Sequence, residues 1–211
     1  KVFNMKFDVI IGNPPYQMAD GGGRDSAAIP LYHLFIQQAK KLRPRFLIMI
    51  VPARWYSGGR GLDDFRDEML HDDRLCELHD FPETKDCFPG LNIRGGVCYF
   101  LWSSESKGMC KVVNHSGTES SISVRNLLEE GCSVFIRYNK AISIFHKVQK
   151  FKEDNFGNYV SSSKPFGMRS NFTAFKEEAT PMCNIKLYRF GNLGYINEEE
   201  VLNNRNLINR Y

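Results

Sequence analysis

The sequence predicts an α/β protein: a doubly wound sheet through the first half of the chain, then a smaller α+β region. Three observations predict this. Apolar runs at Val9-Ile10-Ile11, at residues 46–51 and at residues 97–102 are short and rich in β-branched and aromatic residues, as buried strands are. The first two stop at Gly12 and Pro52, and neither residue extends a strand well. Between the runs lie stretches with apolar residues at helical spacing. Strands that alternate with helices argue for a sheet wound on both sides.

Taken in order, the first strand ends at Gly12-Asn13-Pro14-Pro15. Residues 17–26 carry Gly21-Gly22-Gly23 and few apolar anchors, so they read as a loop beside that turn. Leu31, Leu34, Phe35, Ala39 and Leu42 predict a helix, with Lys40, Lys41 and Arg43 in its last turn and Pro44 as its stop. Residues 46–51 form the second strand. Trp55, Tyr56 and the glycines of residues 57–61 follow, without the spacing of a nucleotide-binding loop. Leu62, Phe65, Arg66, Met69 and Leu70 predict a second helix, residues 75–81 an alternating strand, and residues 97–102 the last strong strand. After Ser103 the signal weakens. Residues 111–113 and 134–136 read as strands, and residues 124–130 and 140–150 as helices.

Composition excludes little. Hydrophobic residues make up 42% and charged residues 25%, ordinary for a globular domain. A net charge of +4 permits an anionic partner without demanding one. Between Arg125 and Arg169 basic residues outnumber acidic ones eight to four, with Tyr138, Phe151 and Phe166 nearby. That pattern suits phosphates, and a solvated helix face equally well. The cysteines at 76, 87, 98, 110, 132 and 183 form no Cys-x-x-Cys and have no histidine at metal-ligand spacing. They read as reduced thiols of a cytoplasmic protein, without a bound metal. No run reaches transmembrane length, so no membrane partner is expected.

The stretch with chemistry is Phe7-Asp8-Val9-Ile10-Ile11-Gly12-Asn13-Pro14-Pro15-Tyr16. Two prolines after a strand make a stiff turn at its carboxyl end, where open α/β sheets bind ligands. The turn offers an amide side chain (Asn13), a backbone carbonyl without a partner (Pro14) and an aromatic face (Tyr16). An exocyclic amine is a poor nucleophile, because its lone pair is delocalised into the ring. Two fixed acceptors, one for each N–H, would favour the geometry in which nitrogen keeps usable electron density. They would also stabilise the positive charge that grows during attack.

This stretch resembles the Asn/Asp-Pro-Pro-Tyr/Phe/Trp signature of the amino-methyltransferases that use S-adenosylmethionine. More narrowly it resembles the gamma-class DNA adenine-N6 methyltransferases of restriction-modification systems, in the Eco57I-like branch. The resemblance implies that residues 1–103 are the C-terminal half of a Rossmann-like methyltransferase sheet, its fourth to seventh strands, the last antiparallel. Residues 104–160 would then be a connecting α+β segment and residues 161–211 the start of a target-recognition region. It implies catalytic roles for Asn13, Pro14 and Tyr16, and a place beside the cofactor for Pro15. Phe88, in the turn Cys87-Phe88-Pro89-Gly90, would stack on the far face of a flipped adenine, and Arg94 would contact substrate. The implied partners are double-stranded DNA and a fused or associated restriction nuclease.

A methyltransferase of this kind also needs a glycine-rich loop after its first strand and an acid for the cofactor ribose, and neither is legible here. The expectation is therefore a piece of a longer enzyme that is inactive alone. Two other readings stay open at this point. Ribosomal-RNA guanine and protein-glutamine methyltransferases also carry Asn-Pro-Pro-Tyr, although the long extension past Trp102 speaks against the glutamine enzymes. The third reading is a non-catalytic DNA-binding or scaffolding fragment.

Overall fold

A computed structural model describes residues 6–18, 29–59, 61–154, 158, 172–189 and 191–202. The described chain forms two compact units, residues 1–148 and 149–211. In the first, β1 (Val9–Gly12) leads to α1 (Tyr32–Lys41), β2 (Phe46–Pro52) and a 3-10 turn (Ala53–Tyr56). Then come α2 (Asp63–His71), β3 (Leu75–Phe81), a second 3-10 turn (Thr84–Asp86) and β4 (Val97–Ser103). The strands β5 (Cys110–Ser116) and β6 (Glu119–Arg125) and the helix α3 (Asn139–Gln149) complete the series.

One six-stranded mixed sheet runs β1-β2-β4-β3-β5-β6. β1 lies parallel to β2, and β3 parallel to β5. β4 is antiparallel to both of its neighbours, β2 and β3. This follows from connection length: after β3 the chain returns through a loop, without a helical crossover, so β4 comes back reversed. The expected order of strand, helix, strand, helix, strand, strand is therefore observed.

Alternation along each strand separates two faces. Leu47, Val51, Leu78, Cys98, Phe100 and Val112 share one face and are fully buried. They join one core cluster with Tyr32, Ile36, Trp55, Phe65 and Met69, which come from α1, the first 3-10 turn and α2. Lys40 ties the two helices together. Its Nζ reaches Asp72 at 2.9 Å and Glu68 at 3.0 Å, and Trp102 Nε1 donates to Asp72 at 2.8 Å.

Two expectations fail between Ser116 and Asn139. Val124 belongs to β6, and no helix covers residues 124–130. The run Glu119-Ser-Ser-Ile-Ser-Val-Arg125 alternates with period two, and pairing with β5 decides it. Residues 134–136 form no strand either. Side chains satisfy this backbone: Arg125 donates to the Ile136 carbonyl at 2.7 Å, and Asn114 donates to the Arg137 carbonyl at 2.9 Å. Phe135 is buried and anchors the loop in the core. A division was expected after Ser103, but β5 and β6 continue the same sheet beyond it.

The second unit holds a hairpin, β7 (Ile185–Arg189) and β8 (Asn192–Ile196), and a short helix, α4 (Glu198–Leu202). The stretch expected to open a recognition region, residues 161–172, lies outside the described residues except for Phe172. So does most of the glycine loop at residues 17–26. Among the described residues no helix is long and apolar enough to cross a membrane.

Candidate active site

The site grows from the end of β1. Pairing with β2 continues to the Gly12–Met49 pair, and Pro14 and Pro15 then stop the ladder. Gly12 lets Met49 close beneath the turn, since a Cβ at Gly12 would meet Met49 Sδ at 2.9 Å. Past the turn the backbone pairs again. Leu31 N–H donates to the Tyr16 carbonyl at 3.1 Å, and Met18 N–H to the Ile29 carbonyl at 3.0 Å. Residues 13–16 are thus held from both sides. Asn13 and Pro15 are exposed, Pro14 is buried and Tyr16 is half-buried. No other described residue donates a hydrogen bond to the Asn13 side chain or the Pro14 carbonyl. Two acceptors therefore stand free at the carboxyl end of a strand.

Tyr16 Oη is buried without a partner. Burial, and then the nearness of Cys87 and Cys98, raises its pKa. Cys87 begins the turn that carries Phe88, so this turn and the Tyr16 hydroxyl share one end of the sheet. The turn is rigid. Thr84 Oγ1 donates to the Ile93 carbonyl at 3.0 Å and accepts from Ile93 N–H at 3.2 Å, and Phe88 N–H donates to the Thr84 carbonyl at 2.7 Å. Phe88 is half-buried and lies outside the core cluster. Its ring does not touch that of Tyr16 among the ring contacts formed.

Behind the turn lies a chain of aromatic contacts. Trp55 and Tyr56 rings are 4.7 Å apart, Trp55 and Phe65 5.9 Å, and Tyr32 and Phe65 6.2 Å. Tyr32 Oη, Tyr56 Oη and Trp55 Nε1 are buried with no well-formed hydrogen bond. Burial pushes the Cys98 thiol up to about 12, so it stays protonated and unreactive. Orphaned buried polar groups are uncommon and cost about 1–3 kcal/mol each.

The next strand end is organised by a pair that the sequence did not reveal. Asp80, at the end of β3, is completely buried. Arg137 holds it with both faces of its fork, Nε to Oδ2 and Nη2 to Oδ1, each at 2.8 Å, and its Nη1 donates to the Gly95 carbonyl at 2.8 Å. Gly96 has no room for a side chain, since a Cβ would collide with the Phe81 and Pro82 carbonyls. Arg94 is exposed. With Arg54 and Arg137 it borders an open cleft of about 530 Å³. The structure thus groups Asn13, Pro14, Pro15 and Tyr16 at one strand end, and puts Phe88 and Arg94 on one pinned loop. The one sequence signal for the missed pair was an acid, Asp80, at an inward position of an alternating strand, which requires a cation.

The family model of the Eco57I restriction-modification methylases matches residues 1–88. A Mycoplasma pneumoniae protein described as an uncharacterized adenine-specific methylase is 38% identical, over 58% of this chain and 31% of its own length. The type II methyltransferase M.PstI of Providencia stuartii is 24% identical, over 74% of this chain and 32% of its own length. The chain spans about a third of the length of these curated relatives. A methyltransferase subunit of a type I restriction-modification system from Streptococcus thermophilus superposes with a TM-score of 0.39 at 13% identity, over 72% of this chain and 34% of that one. A likeness that low carries no weight in assigning the fold. The Asn13-Pro14-Pro15-Tyr16 turn lies inside the matched segment, and over residues 1–88 this chain is similar to the Eco57I restriction-modification methylases.

Proposed function

We propose that this chain carries the target-amine half of a DNA adenine-N6 methyltransferase active site. The observation that carries the reading is the pair of free acceptors, Asn13 Oδ1 and the Pro14 carbonyl, fixed at the end of β1 within the segment matched by the family. Each takes one N–H of the adenine amine. Nitrogen is then held with its lone pair out of conjugation, and the charge that develops on it faces two oxygen dipoles. Tyr16 stacks on the base, and Phe88, from the pinned loop, covers the other face, with Arg94 also contacting the substrate. A base reaches such a slot only when taken out of the duplex.

S-adenosylmethionine would supply an electrophilic methyl group beside Pro15, on the exposed side of the turn. The sheet order supports the same reading: β1, β2, β4 and β3 would be the fourth, fifth, seventh and sixth strands of a methyltransferase sheet. On this reading the chain works within a longer cytoplasmic protein and is inactive alone.

The test is Asn13→Ala in the protein that carries this chain. We expect kcat for adenine methylation to fall on the order of a hundredfold, by analogy with loss of one preorganised hydrogen-bonding group, while DNA affinity stays near normal. Near-normal turnover of the variant would refute the role of Asn13.

A further inference from the structure

Next to the Asn13 turn, at the end of the neighbouring parallel strand, lies the open cleft bordered by Arg54, Arg94 and Arg137. Arg54 leaves the end of β2 in the 3-10 turn, and Arg94 comes from the loop that carries Phe88. No acidic residue lines the cleft. Neither the Arg54 nor the Arg94 side chain has a hydrogen-bond or ion-pair partner among the described residues. Both are exposed, so the fold does not need them for its own stability.

Arg137 differs from these two. Asp80 and the Gly95 carbonyl take three of its N–H groups and lock the guanidinium in place. Of the five N–H donors of an arginine, two stay unused on a group that cannot move away. Tyr56 lies beneath this guanidinium, 5.6 Å from ring centre to Cζ. One fixed cation and two exposed cations make a set of donors with no acidic residue among them.

We propose that this cleft binds a backbone phosphodiester of the strand whose base is presented to Asn13, an inference that rests on the function proposed above. A flipped nucleotide leaves the stack with its own phosphates attached, so an anion must lie within one nucleotide of the base. The cleft is at the same end of the sheet as Asn13, one strand over. Guanidinium forks match the paired oxygens of a phosphate. Arg137 sets the position of the phosphate, and Arg54 and Arg94 close on it.

The test measures how the affinity of the protein carrying this chain for a 5′-labelled DNA duplex depends on sodium chloride. Arg54→Ala and Arg94→Ala should each flatten the plot of log K against log salt, and together by no more than about 0.9, the slope that one neutralised phosphate supplies. Lys107→Ala is the control, an exposed cation in the turn between β4 and β5, at the opposite end of the sheet. It should leave the slope unchanged. Circular dichroism on all three variants establishes that each is folded. If neither arginine variant alters the slope, the cleft binds no phosphate. If all three variants alter it equally, the effect is general charge, and the proposal falls as well. Asn13→Ala separates the two readings. A turnover loss there with unaltered arginine slopes would leave methylation standing without the cleft. Flattened slopes with no turnover effect would leave a nucleic-acid cleft without the Asn13 mechanism.

Discussion

On one face of the sheet Asp80 is fully buried, and its charge is met by Arg137 across a bidentate pair at 2.8 Å. On the other face, one position away along the alternation, the groups are half-exposed and cross-linked by rings. His79 stacks on Tyr99 with centroids 4.4 Å apart, and His115 on Phe81 at 4.2 Å. His79 Nδ1 lies 3.1 Å from His115 Nε2, Nε2 lies 3.1 Å from Glu77, and Lys111 is 3.4 Å beyond Glu77. Both faces therefore carry charge from the same strands. They differ in cover: α1, α2 and the loop through Phe135 shield the first, whereas Val9, Ile11, Ile122 and Val124 stay exposed on the second. Without water, charges must be paired and fixed. With water, they can titrate. The proposed chemistry sits at the edge of the covered face, where geometry can be held.

The comparison breaks most directly at Asp80. Asp80→Ala leaves Arg137 partly buried without its counter-ion, and we expect a loss of about 3–5 kcal/mol in urea unfolding. Replacing both partners, Asp80→Leu with Arg137→Met, should recover much of that loss. A cost below about 1 kcal/mol for Asp80→Ala would mean that water reaches the pair and that the two faces do not differ in kind.

A smaller effect is expected at Asp72, which serves the covered face through Lys40 and Trp102. Burial opposes its charge. Hydrogen bonds from Arg74, Lys40 and Trp102, with the charge of Lys40, outweigh that and bring its pKa to about 2, from an ordinary 3.8. A lowered carboxylate stabilises the fold above its unfolded pKa, and that contribution vanishes as pH falls from about 4 through about 2. The difference corresponds to about 2 kcal/mol. Asp72→Asn should flatten the acid limb of a stability–pH curve in that window, and an unaltered limb would locate the acid sensitivity elsewhere.

The smallest effect belongs to the open face. Burial first, and then the neighbouring His79, lowers the His115 pKa below 6.5. The folded state thus resists a proton that the unfolded chain accepts, so acid favours unfolding as pH falls through 6.5. This stability is present above that pH and lost below it. NMR titration of the His115 ring should give a midpoint below 6.5, and His79→Ala should raise it. A midpoint at or above 6.5 would remove the distinction between a solvated ladder and a half-buried one.

The strand–helix alternation from Val9 to Ser103 was legible because its boundaries are local. Gly12, Pro14, Pro44 and Pro52 end elements regardless of what lies around them, and the period of the apolar residues does the rest. The acceptor turn was legible for the same reason: two prolines fix its shape within four residues. The Asp80–Arg137 pair was not, because its members are 57 positions apart and meet only when β3, the Gly95 turn and the loop after β6 assemble. Residues 124–136 were misread for a related cause. Val124 and Arg125 pair with β5, and the Ile136 carbonyl accepts from the Arg125 side chain, long-range contacts that local sequence does not announce.

The sheet order has a further consequence for handling the molecule. β1 and β6 lie at its two ends, and among the described residues no strand pairs with the outer side of either. Both present apolar side chains to water on the same face, Val9 and Ile11 from one and Ile122 and Val124 from the other. An open strand edge is a template for another strand, and charge or proline is what normally discourages it. In β1 the sequence Val-Ile-Ile-Gly has neither. The isolated chain should therefore associate through these edges, along the hydrogen-bonding direction, as its concentration rises.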